Sequence, residues 1–271
     1  MTSTTSPTTS RGQAPLRVNA ASATLPGIDM IEAVSRIHAG LVEPALGVLA
    51  TDHIQLCPQN SGTLDEALCE ALRARWPATQ FRPHANVRVL PRLRVFDAST
   101  APEQATPLLA LVADRCRRLT SPAYTIHAGY REHATLAQML DNVRRLQDVF
   151  PCPVGVEGLY PREDKPQLMD GWAEYEAVMA SGVPLAIDLS HLQIVAQRQG
   201  RHDDLVRALL ASPTTIEVHL SGNDGRRDSH EPLSDLPWWW PLLDAKHPGA
   251  VVFSEGNQLR PTRSTHPRSL P

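Results

Sequence analysis

A histidine, aspartate or glutamate closes one short apolar run after another in this chain. The residues are His84 in QFRPHAN, His127 in AYTIHAG, Glu157 in PVGVEGL, Asp188 in PLAIDLSHL, His219 in TIEVHLSG and Glu255 in VVFSEGN. His191 lies just beyond Asp188, and an Asp228-x-His230 pair follows His219 in GRRDSHEP. Imidazole nitrogen and carboxylate oxygen are the donors that hold divalent metal ions. Nine such residues exceed the needs of one ion, so the pattern points to a multinuclear metalloenzyme carrying two or three divalent ions. Each residue alone has a plainer explanation. A lone histidine is more often a hydrogen-bonded structural residue, and His38, His53, His133, His202, His247 and His266 take that reading. Glu157, Asp188 and Glu255 differ, because an apolar strand makes a carboxylate costly unless it is paired or metal-bound. Asp-x-His is a weak motif that gains value from following the strand ending in His219.

The elements that must position these residues alternate from residue 16 onward, as repeated βα units do. Strands are predicted near 16–22, 53–57, 80–86, 123–128, 153–158, 184–188, 215–220 and 250–255. Helices are predicted over about 28–40, 63–76, 103–119, 134–149, 167–181 and 201–211. Eight strands close a barrel. The fold class is therefore α/β, a TIM-type (β/α)8 barrel, in which residues at the C-terminal strand ends meet at one face. Residues 16–257 form the barrel, between a disordered N-terminal tail over 1–15 and a flexible C-terminal tail over 258–271. That C-terminal tail has three prolines and no helical period, so the last helix is expected to be missing.

Composition narrows the function. The chain has 271 residues, which matches a single barrel of about 250. A net charge of -3 argues against a nucleic-acid partner, which needs a basic surface. Lys165 and Lys246 are the only lysines, and arginine supplies the other cations. Cys57, Cys69, Cys116 and Cys152 show neither a CxxC pair nor disulfide-like spacing. Residues 1–15 lack the apolar stretch of a secretory signal, and no run approaches the ~20 residues of a membrane span. A soluble, cytoplasmic protein is expected.

The order His, His, Glu, DxxH, His, DxH, Glu over the third to eighth strands resembles the xylose isomerase-like TIM barrel superfamily. The resemblance spans residues 16–257, and within the superfamily it is to the subset with two or three metal ions. Resemblance to the endonuclease IV-like arrangement implies one ion on His84, His127 and Glu157. It implies a second on Glu157, Asp188, His219 and Glu255, and a third on His191, Asp228 and His230. Catalytic roles would fall to Glu157 and Glu255. The segment VHLSGNDGRRDSHEPLSDLPWWWPLL is most similar to the multinuclear non-heme iron-dependent oxidative enzymes. That resemblance implies an O2-dependent oxidoreductase, iron ahead of zinc or manganese, a small anionic or peptidic substrate and a possible partner protein. Two features depart from it: PHANVRVL after His84 lacks a Gly- and Ser-rich run, and IHAG is equally close to the isomerases. A metal-dependent sugar or sugar-phosphate isomerase or epimerase is the alternative, and endonuclease IV-like phosphodiester hydrolysis the third.

Two features bear on the substrate. Arg88, Arg131, Arg226 and Arg227 fall in loops at the metal face, where they would bind an anionic group. Solvated loop charge is the plainer reading of any one of them. In PWWWP, at helical spacing, Trp238, Trp239 and Trp240 cannot all face a core. The exposed ring would serve a partner or peptide, unless the group packs against neighbouring helices.

Overall fold

The computed structural model describes residues 16–259. The expectations for 1–15 and for most of the C-terminal tail lie outside the described residues. Eight short, apolar parallel strands carry the architecture: β1 (Val18–Ala21), β4 (Ala50–Leu56), β5 (Gln80–Pro83), β6 (Tyr124–His127), β7 (Val154–Glu157), β8 (Leu185–Asp188), β9 (Thr215–Leu220) and β10 (Val251–Ser254). A two-stranded hairpin, β2 (Val42–Glu43) and β3 (Gly47–Val48), is inserted before β4. The sheet runs β5-β4-β1-β10-β9-β8-β7-β6 and coils into a nearly closed barrel. Burial on both faces explains why the strands read as continuous apolar runs rather than alternating ones.

Closure is incomplete between β5 and β6, which are not paired in the sheet. A side-chain bond spans this seam, from Thr125 Oγ1 to His84 Nδ1 at 2.7 Å. The segment that follows β5 turns back into it, and Ala98 N donates to the His127 carbonyl at 2.9 Å.

The outer layer holds α1 (Met30–His38), α2 (Glu66–Arg75), α3 (Thr106–Leu119), α4 (Leu136–Gln147), α5 (Trp172–Ala180), α6 (Leu189–Gln199) and α7 (Asp203–Ala211). Local sequence sets their starts. Asp65 caps α2 by accepting from Leu68 N, and Thr135 with Gln138 forms a capping box on α4. The helices differ from the sequence reading after the sixth strand. The sixth strand feeds two helices rather than one, because Asp188 ends β8 and caps α6 at once, leaving no loop to signal a start. After β9 the chain forms only a 3-10 helix over Trp240–Ala245. No helix follows β10 among the described residues.

The core lies between barrel and helices and includes Ile54, Phe81, Ile126, Val156, Ile187 and Val218. Trp239 is buried there, while Trp238 and Trp240 are partly buried against the same core. The Arg201 guanidinium sits 4.5 Å above the Trp238 ring. The tryptophan group thus packs on its own barrel. Cys57, Cys69 and Cys116 are buried free thiols, and Cys152 is half-buried. No described helix is long and apolar enough to cross a membrane.

Candidate metal centre

Parallel strands that share a direction bring their C-terminal ends to one rim, and the predicted ligands meet there. His127, Glu157 and Asp188 are the last residues of β6, β7 and β8. His84 and Glu255 follow β5 and β10 directly, and His219 lies one residue from the end of β9. Register aligns them, with His127 opposite Glu157 and Asp188 opposite His219. The β9–β10 loop supplies Asp228 and His230, held by paired bonds between Gly222 and Glu231 at 2.7 and 2.8 Å.

Glu157 is the hub and only 2% exposed. Its Oε2 lies 3.4 Å from His84 Nε2, 3.5 Å from His219 Nδ1 and 3.8 Å from His127 Nε2. Its Oε1 lies 3.8 Å from His191 Nδ1. Glu255 Oε1 approaches the same His219 Nδ1 at 3.6 Å. Asp188 divides its oxygens: Oδ1 caps α6 through Ser190 N, Ser190 Oγ and His191 N, and Oδ2 faces His191 Nε2 at 3.3 Å. Asp228 Oδ2 stands between two imidazoles, 3.4 Å from His191 Nε2 and 2.8 Å from His230 Nε2. His230 holds a left-handed backbone, φ 45°, which is uncommon outside glycine and found where a site over-determines the chain.

The donor atoms fit a divalent cation. Glu157 Oε2, His219 Nδ1, Asp228 Oδ1, His230 Nδ1 and Glu255 Oε1 are buried without a hydrogen-bond partner. Three buried triads each place their donor atoms within 4.8 Å of one another: His84, Glu157 and His219; Glu157, Asp188 and His191; Asp188, His219 and Glu255. The grouping is more interleaved than the sets implied by resemblance, which share Glu157 alone, because Glu157, Asp188 and His219 each serve two triads. His127, Asp228 and His230 belong to none of the triads, and the His127 side chain is 35% exposed.

The carboxylates favour a protonated ring at some of these histidines and burial opposes it at others. Burial opposes a charged His191 ring, yet Asp188, Asp228 and Glu157 together raise it to about 10. Burial likewise opposes His230, and Asp228 and Glu255 raise it to about 9. His84 goes the other way: burial lowers it to about 3 despite Glu157. Burial raises Glu255 to about 7 against the pull of His219 and His230. Four carboxylates at one rim demand positive charge, and a divalent cation would meet that demand in place of protons.

Two residues beneath the rim escaped the sequence reading. Glu217 Oε2 lies 3.2 Å from His219 Nε2, and its Oε1 accepts from Arg82 Nη1 at 3.0 Å. Gln55 Nε2 lies 2.8 Å from His219 Nε2 and donates to Glu217 Oε2 at 3.1 Å. This layer grips the far nitrogen of His219 and turns Nδ1 toward the rim, as outer-shell partners of metal-bound histidines do. The signal was present in the strands. Glu217 is two residues before His219 and so on the same face, and Gln55 interrupts the apolar HIQLC.

The cavity above the cluster measures about 230 Å³. His84, His127, Glu157, Asp188, His191, Asp228, His230 and Glu255 form its floor, and Gln59, Asn86, Asp97, Tyr130, Tyr160 and Gln167 its walls. No lysine or arginine is among its lining residues. The four arginines expected to bind an anion are elsewhere. Arg131 is clamped by Asp170 at 2.6 Å and Glu174 at 2.7 Å, and Arg88 Nε donates to the Pro58 carbonyl at 3.0 Å. Arg226 and Arg227 are exposed, outside the lining. Ion pairs hold Arg131, a backbone carbonyl holds Arg88, solvent surrounds the other two, and none of the four lines the cavity.

Eight parallel strands and their helices have counterparts among solved structures. A D-tagatose 3-epimerase-like protein superposes with TM-score 0.62 at 16% identity, over 90% of this chain and 91% of that one. An AP endonuclease of family 2 from Brucella melitensis gives 0.60 at 15%, over 90% and 94%. The IolI protein, whose structure holds a zinc atom, gives 0.57 at 10%, over 89% and 88%. What they show of this chain is its fold, a TIM barrel. No protein-family model matches the sequence, and no curated protein matches it.

Proposed function

We propose that this chain is a divalent-metal-dependent isomerase or epimerase that moves a proton beside a carbonyl of a neutral polyhydroxylated substrate. One observation carries the reading. Glu157 Oε2 and Glu255 Oε1 flank His219 Nδ1 at 3.5 and 3.6 Å, beneath a cavity whose walls carry neutral hydrogen-bonding groups, one carboxylate and no cation. A bound cation, held by Glu157, Asp188, His219 and Glu255, would polarise the substrate carbonyl as a Lewis acid. One glutamate takes the proton from the carbon beside the carbonyl, and the electron pair shifts to give an enediolate. The facing glutamate delivers a proton back, to the opposite face for epimerisation or to the neighbouring carbon for isomerisation. Tyr160, tilted over the His191 ring with centroids 4.9 Å apart, helps to keep water from this exchange.

The epimerase-like structural relative supports this reading over the oxidative one, which no relative described above supports. The donor set suits zinc, manganese and iron alike, and zinc is the ion in one relative. A second reading has its own observation. His84 and His127 add ligands at Glu157 Oε2 that a one-ion isomerase does not need. A second ion there would favour phosphodiester hydrolysis, the activity class implied by the AP endonuclease relative. The cation-free cavity wall weighs against a phosphate substrate.

Solvent exchange decides. Protein loaded in turn with zinc, manganese and anaerobic iron is incubated with ketoses in D2O and followed by NMR. Metal-dependent deuterium incorporation beside the carbonyl, lost in Glu157→Gln and Glu255→Gln, is the expected result. No exchange, with cleavage of bis(p-nitrophenyl) phosphate instead, would replace it with the hydrolytic reading. Oxygen uptake by the iron form would restore the oxidative one.

A further inference from the structure

The chain that folds back into the seam between β5 and β6 carries a carboxylate outside the ligand set. Asp97 is 5% exposed, lines the cavity, and is fixed beside the end of β6 because Ala98 N donates to the His127 carbonyl. Its Oδ1 accepts from Ser99 N at 3.0 Å and from Ser99 Oγ. Its Oδ2 takes no hydrogen bond among the described residues. The backbone opposite makes room for it: a Cβ on Gly129, at φ +91°, would fall 2.3 Å from Asp97 Oδ1 and 2.4 Å from Ser99 Oγ. Asp97 belongs to none of the three metal-binding triads.

With no protein donor on it, Oδ2 is open to whatever fills the cavity that Asp97 lines. No lysine or arginine lines that cavity to pair with it, so a substrate hydroxyl that displaces water there finds an acceptor in place. We propose that Asp97 is the specificity-determining residue of this site. Its Oδ2 accepts a hydrogen bond from a hydroxyl of a neutral polyhydroxy substrate and, being negative, repels the phosphorylated analogue. This rests on the isomerase or epimerase reading. The assignment accounts for Gly129, whose missing side chain admits Asp97, and for Ser99, which occupies Oδ1 and leaves Oδ2 for the ligand.

The test is calorimetric titration of the full-length, metal-loaded protein with D-tagatose and with D-tagatose 6-phosphate. Wild type is expected to bind the sugar and discriminate against its phosphate. Asp97→Asn should weaken sugar binding about tenfold, the scale of one hydrogen bond to a charged group. It should also narrow the discrimination and raise KM while kcat and metal content hold. If Asp97→Asn does not fold, Ser99→Ala supplies the test, with an expected loss of about threefold from a loosened Asp97. Sugar affinity unchanged in the folded variants overturns the assignment, as does a wild type that prefers the phosphate. D2O exchange by the wild type separates the two failures. Exchange with an indifferent Asp97 sinks this inference alone, whereas a wild type that neither exchanges nor binds either probe sinks the isomerase reading and Asp97 with it.

Discussion

His219 shows how much of the site depends on what holds a ligand from behind. Its Nδ1 faces two glutamates at the rim, and its Nε2 is gripped by Glu217 and Gln55. Glu217 stays ionised in spite of burial, because His219 and Arg82 hold its carboxyl down to about 2. Glu217→Gln keeps the volume and removes the charge that orients the ring. Metal affinity should fall about 10- to 100-fold, measured by competition with a chelator, while the circular dichroism spectrum is unchanged. A second residue-level expectation concerns pH. Burial, helped by Arg82, lowers His53 to about 4, from an unfolded value near 6.5. Below about 6.5 the unfolded chain takes up a proton that folded His53 refuses. This residue's contribution is therefore full above that pH and is lost as pH falls toward 4. Thermal melts of wild type and His53→Gln from pH 4 to 7.5 should converge at the acid end; parallel curves would reject the linkage. Six of the nine rim residues could be singled out in the sequence because each ends an apolar run, and His191, Asp228 and His230 because they follow such ends. Asp97 could not, since it sits in an irregular loop where only the fold brings it to His127.

At the scale of elements, strand placement was legible to within a few residues because buried parallel strands are short apolar runs with little else to read. Helix assignment failed where one residue served two elements, at Asp188; after β9, where none was predicted, Pro241 and the crowded tryptophans allow only a 3-10 turn. The β2–β3 hairpin had no signal beyond its turn, yet it matters to the site. Glu43, fully buried, accepts from Leu233 N at 2.6 Å and from Ser254 Oγ and Gln258 Nε2. It ties the hairpin to both segments flanking Glu255 and to the end of the loop bearing Asp228 and His230. Glu43→Ala leaves a buried donor unmatched, at a cost of about 1–3 kcal/mol. For a chain of this size each kcal/mol is about 2–4 °C in Tm. A calorimetric Tm lowered by several degrees is expected, and no change would show that the tie is dispensable.

For the molecule as a whole, the ligands are distributed over six strand ends, the first turn of α6 and one loop, so a cation bound there crosslinks most of the barrel at its rim. His84 and His127 sit on the two strands that do not pair, and Glu157 faces both. Chelation should therefore loosen β5 and β6 before the paired strands. Amide hydrogen exchange would read this as protection lost first over residues 80–84 and 124–127, and uniform loss around the sheet would contradict it. A conventional barrel shuts itself with backbone hydrogen bonds, and its interior contour is then fixed by strand number and stagger. Here one joint is left to side chains and to a returning loop, and so the width of the chamber at that point can be edited by substitution without disturbing a single ladder. Lineages that lengthened or shortened residues 86–99 would inherit the same metal floor under a differently shaped wall.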